Sequence, residues 1–456
     1  MQDNTEKKPR AVLVGVQLPG TTEEDLRLSL AELGRLVHTL GYDVVGSVTQ
    51  RRQSLGPAAV LGDGKLRDLA RYTGGTGVVP PAVTPKKKKG EVDEEPVEIP
   101  GDEDDAESAT EGEARGDASV VVVDHDLTPT QMRNLERSTG ADVLDRTTVI
   151  LEIFHRHAKS REAKLQVEVA RLGYSAPRLR ESGGGDRVRG GIGGKGAGES
   201  ALELDRRKIR DRIAELRREL ESIAKEQGTR RTRRHEQFRV ALVGYTNAGK
   251  SSLMRALTGS EVYVADKLFA TLDTTVRALA PESHPRVLVS DTVGFIKKLP
   301  HDLVASFRST LDEAREASLL LHVVDGSDPD HPQQLSVTRE VLAEIGAEDI
   351  PSKLVINKRD QMSEEARDEA LRRHPDAILV SARDPADVAR LRAEILAFFE
   401  EGMVEGEVRV PYGARGAIAE VHRDARVLSE EYDETGARFV VRTKPEILAR
   451  LQSVAG

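Results

Sequence analysis

One octet in the chain could do phosphate chemistry: Gly244-Tyr245-Thr246-Asn247-Ala248-Gly249-Lys250-Ser251. Its spacing, G-x-x-x-x-G-K-[ST], is that of a phosphate-binding loop. Gly244 and Gly249 let the backbone close round an anion, so that several N–H groups and a helix N-terminus point at it. Lys250 is placed to reach the β- and γ-phosphates, and the Ser251 hydroxyl to bind a Mg²⁺ ion that bridges them. The plain alternative is a glycine-rich turn that binds nothing. The flanks argue against it, because residues 240–243 read as an apolar strand and 252–257 as a helix.

The base would be read further on. An apolar strand over 353–356 runs into Asn357-Lys358-Arg359-Asp360, an N-K-x-D motif. A carboxylate at Asp360 accepts from the guanine N1–H and exocyclic amine, a pattern that adenine does not offer. Asn357 supports the base edge and the loop, and the Lys358 stem covers the ring face. Residues 378–380 lead into Ser381-Ala382-Arg383, whose backbone is placed to meet the guanine O6.

Two switch segments lie between these. A strand over 287–290 delivers Asp291-Thr292-Val293-Gly294, where Asp291 is expected to hold Mg²⁺ through water and the Gly294 N–H to sense the γ-phosphate. The first switch is Phe269-Ala270-Thr271-Leu272-Asp273. Its threonine must close on Mg²⁺, and Thr271 is preferred over Thr274 or Thr275. The expected substrate is GTP, bound by these segments together. Lys250, Thr271 and Gly294 are the expected catalytic groups, and Ser251 and Thr271 the expected Mg²⁺ ligands.

A GTPase often carries Gln just after Asp-x-x-Gly to orient the attacking water. Phe295 stands there and cannot do so. Intrinsic hydrolysis is therefore expected to be slow, with the missing help supplied by a large partner that reorders the switches. Asn247 allows a second source, a monovalent cation such as K⁺ near the phosphates. Its other reading is a simple cap of the loop.

The elements that must position these groups come next. At 456 residues the chain has room for about three domains. It is 32% charged and 38% hydrophobic, with a net charge of -9 and no cysteine. That composition is soluble, excludes a disulfide framework or a thiolate metal site, and leaves no apolar run long enough for an integral membrane segment. The N-terminus lacks the apolar core of a signal peptide, so a cytoplasmic protein is expected.

The N-terminal part reads as a βα domain over 1–160. A strand at 11–16, a helix capped by Thr21 or Thr22 and a strand from 43 make a βαβ unit. Gly62 and Gly64 near Lys65 are read as a structural turn rather than a second phosphate site. Residues 73–118, rich in lysine and then in Asp and Glu, are expected to be a disordered acidic insertion. Order resumes with a buried parallel strand at 119–123. A helix opened by Thr128-Pro129 follows, then another over 145–157.

A helical arm is expected over 161–237. The Gly-rich basic stretch 182–198 is read as a flexible finger that contacts RNA backbone. Ile209, Ile213, Leu216, Leu220 and Ile223 form a heptad seam, expected to pack on a helix carrying Leu165, Val169 and Leu172. Its other faces are basic, and Arg230, Arg231, Arg233 and Arg234 lead straight into the first strand of the nucleotide domain. That domain, 238–401, alternates strands and helices and predicts a doubly wound, mainly parallel α/β sheet. Residues 402–456 read as a small α+β domain of order β-α-β-β-α.

Taken together these residues resemble the HflX family of GTPases. The octet, 269–273, 291–295 and 357–360 carry the likeness. So do Gln131-Met132-Arg133-Asn134-Leu135, Asp145-Arg146-Thr147, Leu165-Gln166-Val167 and Leu204-Asp205-Arg206-Arg207, which are more specific than a shared phosphate loop. The resemblance covers nearly the whole chain outside the acidic insertion. It departs there and at Glu181-Ser182-Gly183-Gly184, where an Arg-Gln pair is typical. It implies binding to the large ribosomal subunit and ribosomal RNA, ribosome-stimulated hydrolysis, and splitting or rescue of stalled ribosomes or a part in their biogenesis. An alternative it also implies is an ATP-dependent, helicase-like N-terminal domain, although no second nucleotide motif is visible there. A monomer is expected.

Overall fold

The computed structural model describes residues 8–56, 58–79, 110–112, 116–182, 201–232, 238–260, 268–269, 271–272, 274–298, 308–414 and 416–455. Two compact units emerge, one of residues 1–156 and 171–210, the other of 157–170 and 211–456.

The first unit is an open sheet. In chain order it contains β1 (Arg10–Gln17), α1 (Glu23–Thr39), β2 (Asp43–Arg51), α2 (Asp63–Thr73), β3 (Thr110–Gly112), β4 (Val120–Val123), α3 (Pro129–Thr139), β5 (Asp142–Asp145) and α4 (Arg146–His157). The sheet order is β3-β2-β1-β4-β5, parallel except for β3. β4 is buried along its whole length, which is why it is four valines rather than an alternating pattern. Thr22 caps α1 and Thr128 caps α3, each in a reciprocal capping box.

One expectation is corrected here. The stretch 73–118 is structured at both edges: the Gly77 N–H donates to the Ser138 carbonyl and the Ala118 N–H to that of Tyr72, and β3 pairs with β2. Residues 80–109 and 113–115 lie outside the described residues. The helix expected from Asp145 begins one residue later, because Asp145 ends β5 and its Oδ1 accepts the Thr148 N–H at 2.9 Å. Gly62 only starts α2, with its N–H on Gln50.

Two long helices follow, α5 (Arg161–Ser182) and α6 (Ala201–Thr232). Leu216 of the heptad seam is fully buried, and Leu165 and Val169 on α5 are buried. Ion pairs Arg161–Glu219 at 2.8 Å and Arg212–Glu168 at 3.0 Å flank it. The Gly-rich stretch beyond Ser182 lies outside the described residues.

The nucleotide domain contains β6 (Phe238–Gly244), α7 (Lys250–Thr258), β7 (Thr275–Ala278), β8 (Val287–Asp291), α8 (Arg308–Arg315), β9 (Leu319–Asp325), α9 (His331–Glu344), β10 (Ser352–Asn357), α10 (Glu364–Arg373), β11 (Ile378–Leu379) and α11 (Pro385–Glu401). Its sheet runs β11-β10-β9-β6-β8-β7, parallel apart from the edge strand β7. β6 is buried on both faces. Val240 and Leu242 pack with Leu253, Leu319, Ile395 and Phe399, while Ala241 and Val243 pack with Phe295, Leu311, Leu320 and Val341. A strand covered on both sides reads as the continuous apolar run seen in the sequence.

The chain ends in β12 (Val404–Pro411), α12 (Ala417–Asp424), β13 (Arg426–Tyr432), β14 (Gly436–Thr443) and α13 (Pro445–Ala455). The three strands form an antiparallel sheet, β12-β14-β13, whose core includes Val408, Val421, Phe439 and Leu451. Lys444 Nζ lies 4.2 Å over the Phe238 ring, which is 4.4 Å from that of Phe399. Among the described residues no helix is long and apolar enough to cross a membrane.

Candidate functional site

The central strand β6 delivers the octet to the carboxyl edge of the sheet, and α7 starts from it. Gly249 is at φ +90°, and a Cβ there would lie 2.2 Å from Asn357 Nδ2. Only glycine lets the loop pass so close to the end of β10. Lys250 turns back over the loop, donating to the carbonyls of Gly244 at 3.0 Å and Tyr245 at 2.8 Å. The loop is thereby held as a ring open towards the α7 N-terminus, an anion site by geometry.

A cavity of about 370 Å³ lies over this ring. Thr246, Asn247, Gly249, Lys250 and Ser251 line its phosphate end, with Phe269, Thr271, Thr292 and Gly294 on the switch side. Asn357, Lys358, Asp360, Ser381, Ala382 and Arg383 line the other end. The other expected residues stand behind this lining. Gly244, Tyr245 and Ala248 form the back of the loop. Asp291 and Val293 are buried, as is Leu272. Arg359 points away, into an ion pair with Asp384. Ala270 and Asp273 lie outside the described residues.

The switch side is drawn onto the loop. The Ser251 hydroxyl donates to Asp291 Oδ2 at 2.6 Å and stands 2.8 Å from the Thr271 hydroxyl. Of the three candidate threonines, Thr271 is therefore the one beside Ser251. The Thr246 N–H donates to the Phe295 carbonyl at 2.8 Å, and the Phe295 N–H to the Gly244 carbonyl at 3.1 Å. Gly294 sits against Thr246, where a Cβ would lie 2.7 Å from the Thr246 Cα. The Phe295 ring is turned away from the cavity into the core.

These oxygens suit a divalent cation. Asp291 is fully buried, and its Oδ1 has no hydrogen-bond partner among the described residues. Burial pushes its carboxyl above the usual carboxylate range, against the pull of Lys250 and Ser251. Burial likewise pushes the Lys250 ammonium down to about 8, opposed by Asp291. A buried carboxylate oxygen beside two hydroxyls is a hard-oxygen donor set of the kind that holds Mg²⁺.

At the base end, Asn357 is a brace. Its Nδ2 donates to the Ala248 carbonyl at 2.9 Å, and its Oδ1 accepts the Ala382 N–H at 3.2 Å. Asp360 Oδ1 accepts from the Ser381 hydroxyl at 2.7 Å. Lys358 is left-handed, at φ +61°, and its ammonium reaches Asp325 at 2.6 Å. The motifs did not name Ser252 and Gln361, which also line the cavity. Each directly follows a motif residue, and that adjacency was the available signal.

Loop, paired switches and base-reading strand on a mainly parallel sheet define a P-loop GTPase. The GTPase HflX of Gluconacetobacter diazotrophicus is 59% identical to this chain over 449 residues, 97% of each. The chain belongs to the GTPase HflX family. That of Escherichia coli is 36% identical over 90% of this chain and 88% of its own. Three family models match: GTP-binding GTPase N-terminal at 27–79 and 103–155, GTP-binding GTPase Middle Region at 157–234, and 50S ribosome-binding GTPase at 239–358. A crystal structure of a GTP-binding protein from Sulfolobus solfataricus in complex with GDP is 24% identical. It covers 85% of this chain and 99% of its own, with a TM-score of 0.42.

Proposed function

We propose that this GTPase is a GTP-switched factor of the large ribosomal subunit, slow alone and accelerated on the ribosome. The observation that carries this reading is the Phe295 ring, buried in the core where an orienting glutamine would otherwise face the γ-phosphate. A site with no glutamine after Asp-x-x-Gly to orient water needs outside help. The match of 239–358 to a 50S ribosome-binding GTPase supports the ribosome as its source.

Lys250 offsets charge on the β- and γ-phosphates, and the Gly294 N–H meets the γ-phosphate. Thr271 lies beside Ser251, and the two hydroxyls would hold Mg²⁺, with Asp291 contributing through water. The ion would spread the charge that develops between the phosphates. Asn247, on the cavity wall, suits a monovalent cation such as K⁺ as a further positive charge. Asp360 reads guanine, with Asn357, Lys358 and the 381–383 loop in support.

In this reading the N-terminal domain of 1–160 and the arm of 161–237 dock on ribosomal RNA when GTP orders the switches. The nucleotide domain is 238–401 and the last domain 402–456. The outcome is splitting or rescue of stalled ribosomes, or a step in their biogenesis, by a cytoplasmic monomer.

The test is co-sedimentation with large ribosomal subunits in a non-hydrolysable GTP analogue and in GDP. Binding that needs the analogue is expected. Affinity should fall on the order of a thousandfold between about 50 and about 200 mM salt if about six phosphates are contacted. Reversing charge at Arg230, Arg231, Arg233 and Arg234 should flatten that dependence. Binding indifferent to nucleotide and salt would contradict the reading.

A further inference from the structure

Asp387 lies in the first turn of α11 and is only 3% exposed. No phosphate or base motif includes it, and it does not line the cavity. Its carboxylate nevertheless holds both segments that would read the base. Oδ2 accepts the Ser381 backbone N–H at 2.9 Å and lies 2.8 Å from Arg359 Nε. Oδ1 accepts from Arg390 Nη2 at 2.9 Å, and the same Arg390 nitrogen donates to the Leu379 carbonyl.

The two segments are thereby fixed to one another. Arg359 is the variable residue of N-K-x-D, directly before Asp360. It is also held by Asp384 at 3.0 Å and, through its own carbonyl, by Arg367 at 2.8 Å. Ser381 donates its hydroxyl to Asp360 Oδ1 at 2.7 Å. Asp360 is therefore tied to Asp387 along two routes, through the side chain of its neighbour Arg359 and through Ser381, whose backbone N–H meets Asp387 and whose hydroxyl meets Asp360. The Asp387 carboxylate has no cheap alternative arrangement, because it is itself buried and stays desolvated if it loses a partner, whereas Arg359 and Arg390 are partly exposed.

We propose that Asp387 is the positioning residue for guanine discrimination, holding Asp360 at the place and angle needed to accept from both N1–H and the exocyclic amine. The proposal rests on the reading of Asp360 as the base reader. Hydrogen bonds weaken steeply as they bend, so a slack Asp360 keeps one of its two bonds to guanine better than both. The loss falls on the ligand that offers both donors. Inosine nucleotides, which lack the amine, have less to lose. A general loosening of the domain would weaken both ligands alike.

The experiment measures Kd for GDP and IDP with the full-length protein, and kcat and KM for GTP, in wild type, Asp387→Asn, Arg359→Gln and Asp360→Asn. Asparagine keeps the shape of Asp387 and an acceptor for the Ser381 N–H, but not the charge that holds Arg359. Wild type should prefer GDP over IDP by at least about tenfold, the worth of one charge-assisted bond. Asp387→Asn should weaken GDP about tenfold and IDP only two- to threefold, raising KM for GTP while kcat stays within about twofold. Arg359→Gln cuts the same tether from its other end and should narrow the preference likewise, so a poorly folding Asp387 variant does not remove the test. Equal weakening of GDP and IDP by both variants would overturn the proposal and leave Asp387 a structural residue. An unchanged preference in Asp360→Asn would overturn it differently, by removing the base-reading assignment beneath it.

Discussion

The Thr246 hydroxyl accepts the backbone N–H of Phe269 at 2.9 Å. Through the same residue the loop also reaches the second switch, since the Thr246 N–H donates to the Phe295 carbonyl. One loop residue thus touches both switches. Phe269 is 2% exposed and sits at φ +56°, a conformation rare for a bulky side chain. Its N–H has little access to water once the acceptor is gone.

Thr246→Ala should therefore free the first switch. An unsatisfied buried N–H costs about 1–3 kcal/mol. Amide hydrogen exchange at Phe269 should rise by tenfold or more, and kcat/KM for GTP should fall about tenfold. Thr246→Ser should restore both. Unchanged exchange would show that packing alone holds the segment.

Phe295 predicts an unproductive repair. Because its ring fills a core shared with Ala241, Val243, Leu311 and Leu320, Phe295→Gln buries an amide rather than aiming it at the phosphate. Hydrolysis should not accelerate, and stability should drop by about 3 kcal/mol or more. A denaturant melt and a single-turnover assay check the two halves. Faster hydrolysis with an unchanged melt would contradict the packing argument.

Most of the cavity lining was legible because the motifs that form it are local. Glycines, a lysine and a hydroxyl at fixed spacing announce a phosphate loop. Phe295 was legible as a missing glutamine, but its place in the core depends on α8 and β9, far away in sequence. Asp387 gave no local signal, since its role exists only once α11 packs beside the 381–383 loop. β5 and β7 were missed for another reason: four residues are too few for a period-2 pattern to stand out. The Asp145-Arg146-Thr147 motif was recognised without a cause. The fold supplies it, with Asp145 taking the Tyr174 hydroxyl and Arg178, and Arg146 paired with Glu32 and Asp124.

That last cluster is testable. Arg146, Glu32 and Asp124 are all at most 4% exposed. Removing one member of a buried ion pair strands the others and costs about 3–5 kcal/mol. Arg146→Met should lower the unfolding free energy of the N-terminal unit by that much, read from a denaturant melt. Replacing Arg146, Glu32 and Asp124 together by apolar residues of similar size should recover most of it. A silent Arg146→Met would mean that the carboxylates find other partners.

His322 on β9 sets an acid limit. Burial, with Arg339 adding to it, lowers its pKa from 6.5 to about 4. Between those values the unfolded chain binds a proton that the folded chain refuses. Stability is therefore lost as pH falls below about 6.5, levelling off below about 4, by up to about 3 kcal/mol. His322→Gln, which does not titrate, should flatten the stability curve in that window. Parallel curves for wild type and variant would contradict it.

The central claim is a GTPase whose missing catalytic help lies on the ribosome. Its most direct test is the GTP hydrolysis rate of the pure full-length protein with and without large ribosomal subunits, at low and high salt. The account predicts a slow basal rate, strong stimulation by the subunits at low salt, and loss of that stimulation at high salt. A rate that the subunits leave unchanged at every salt concentration would contradict it.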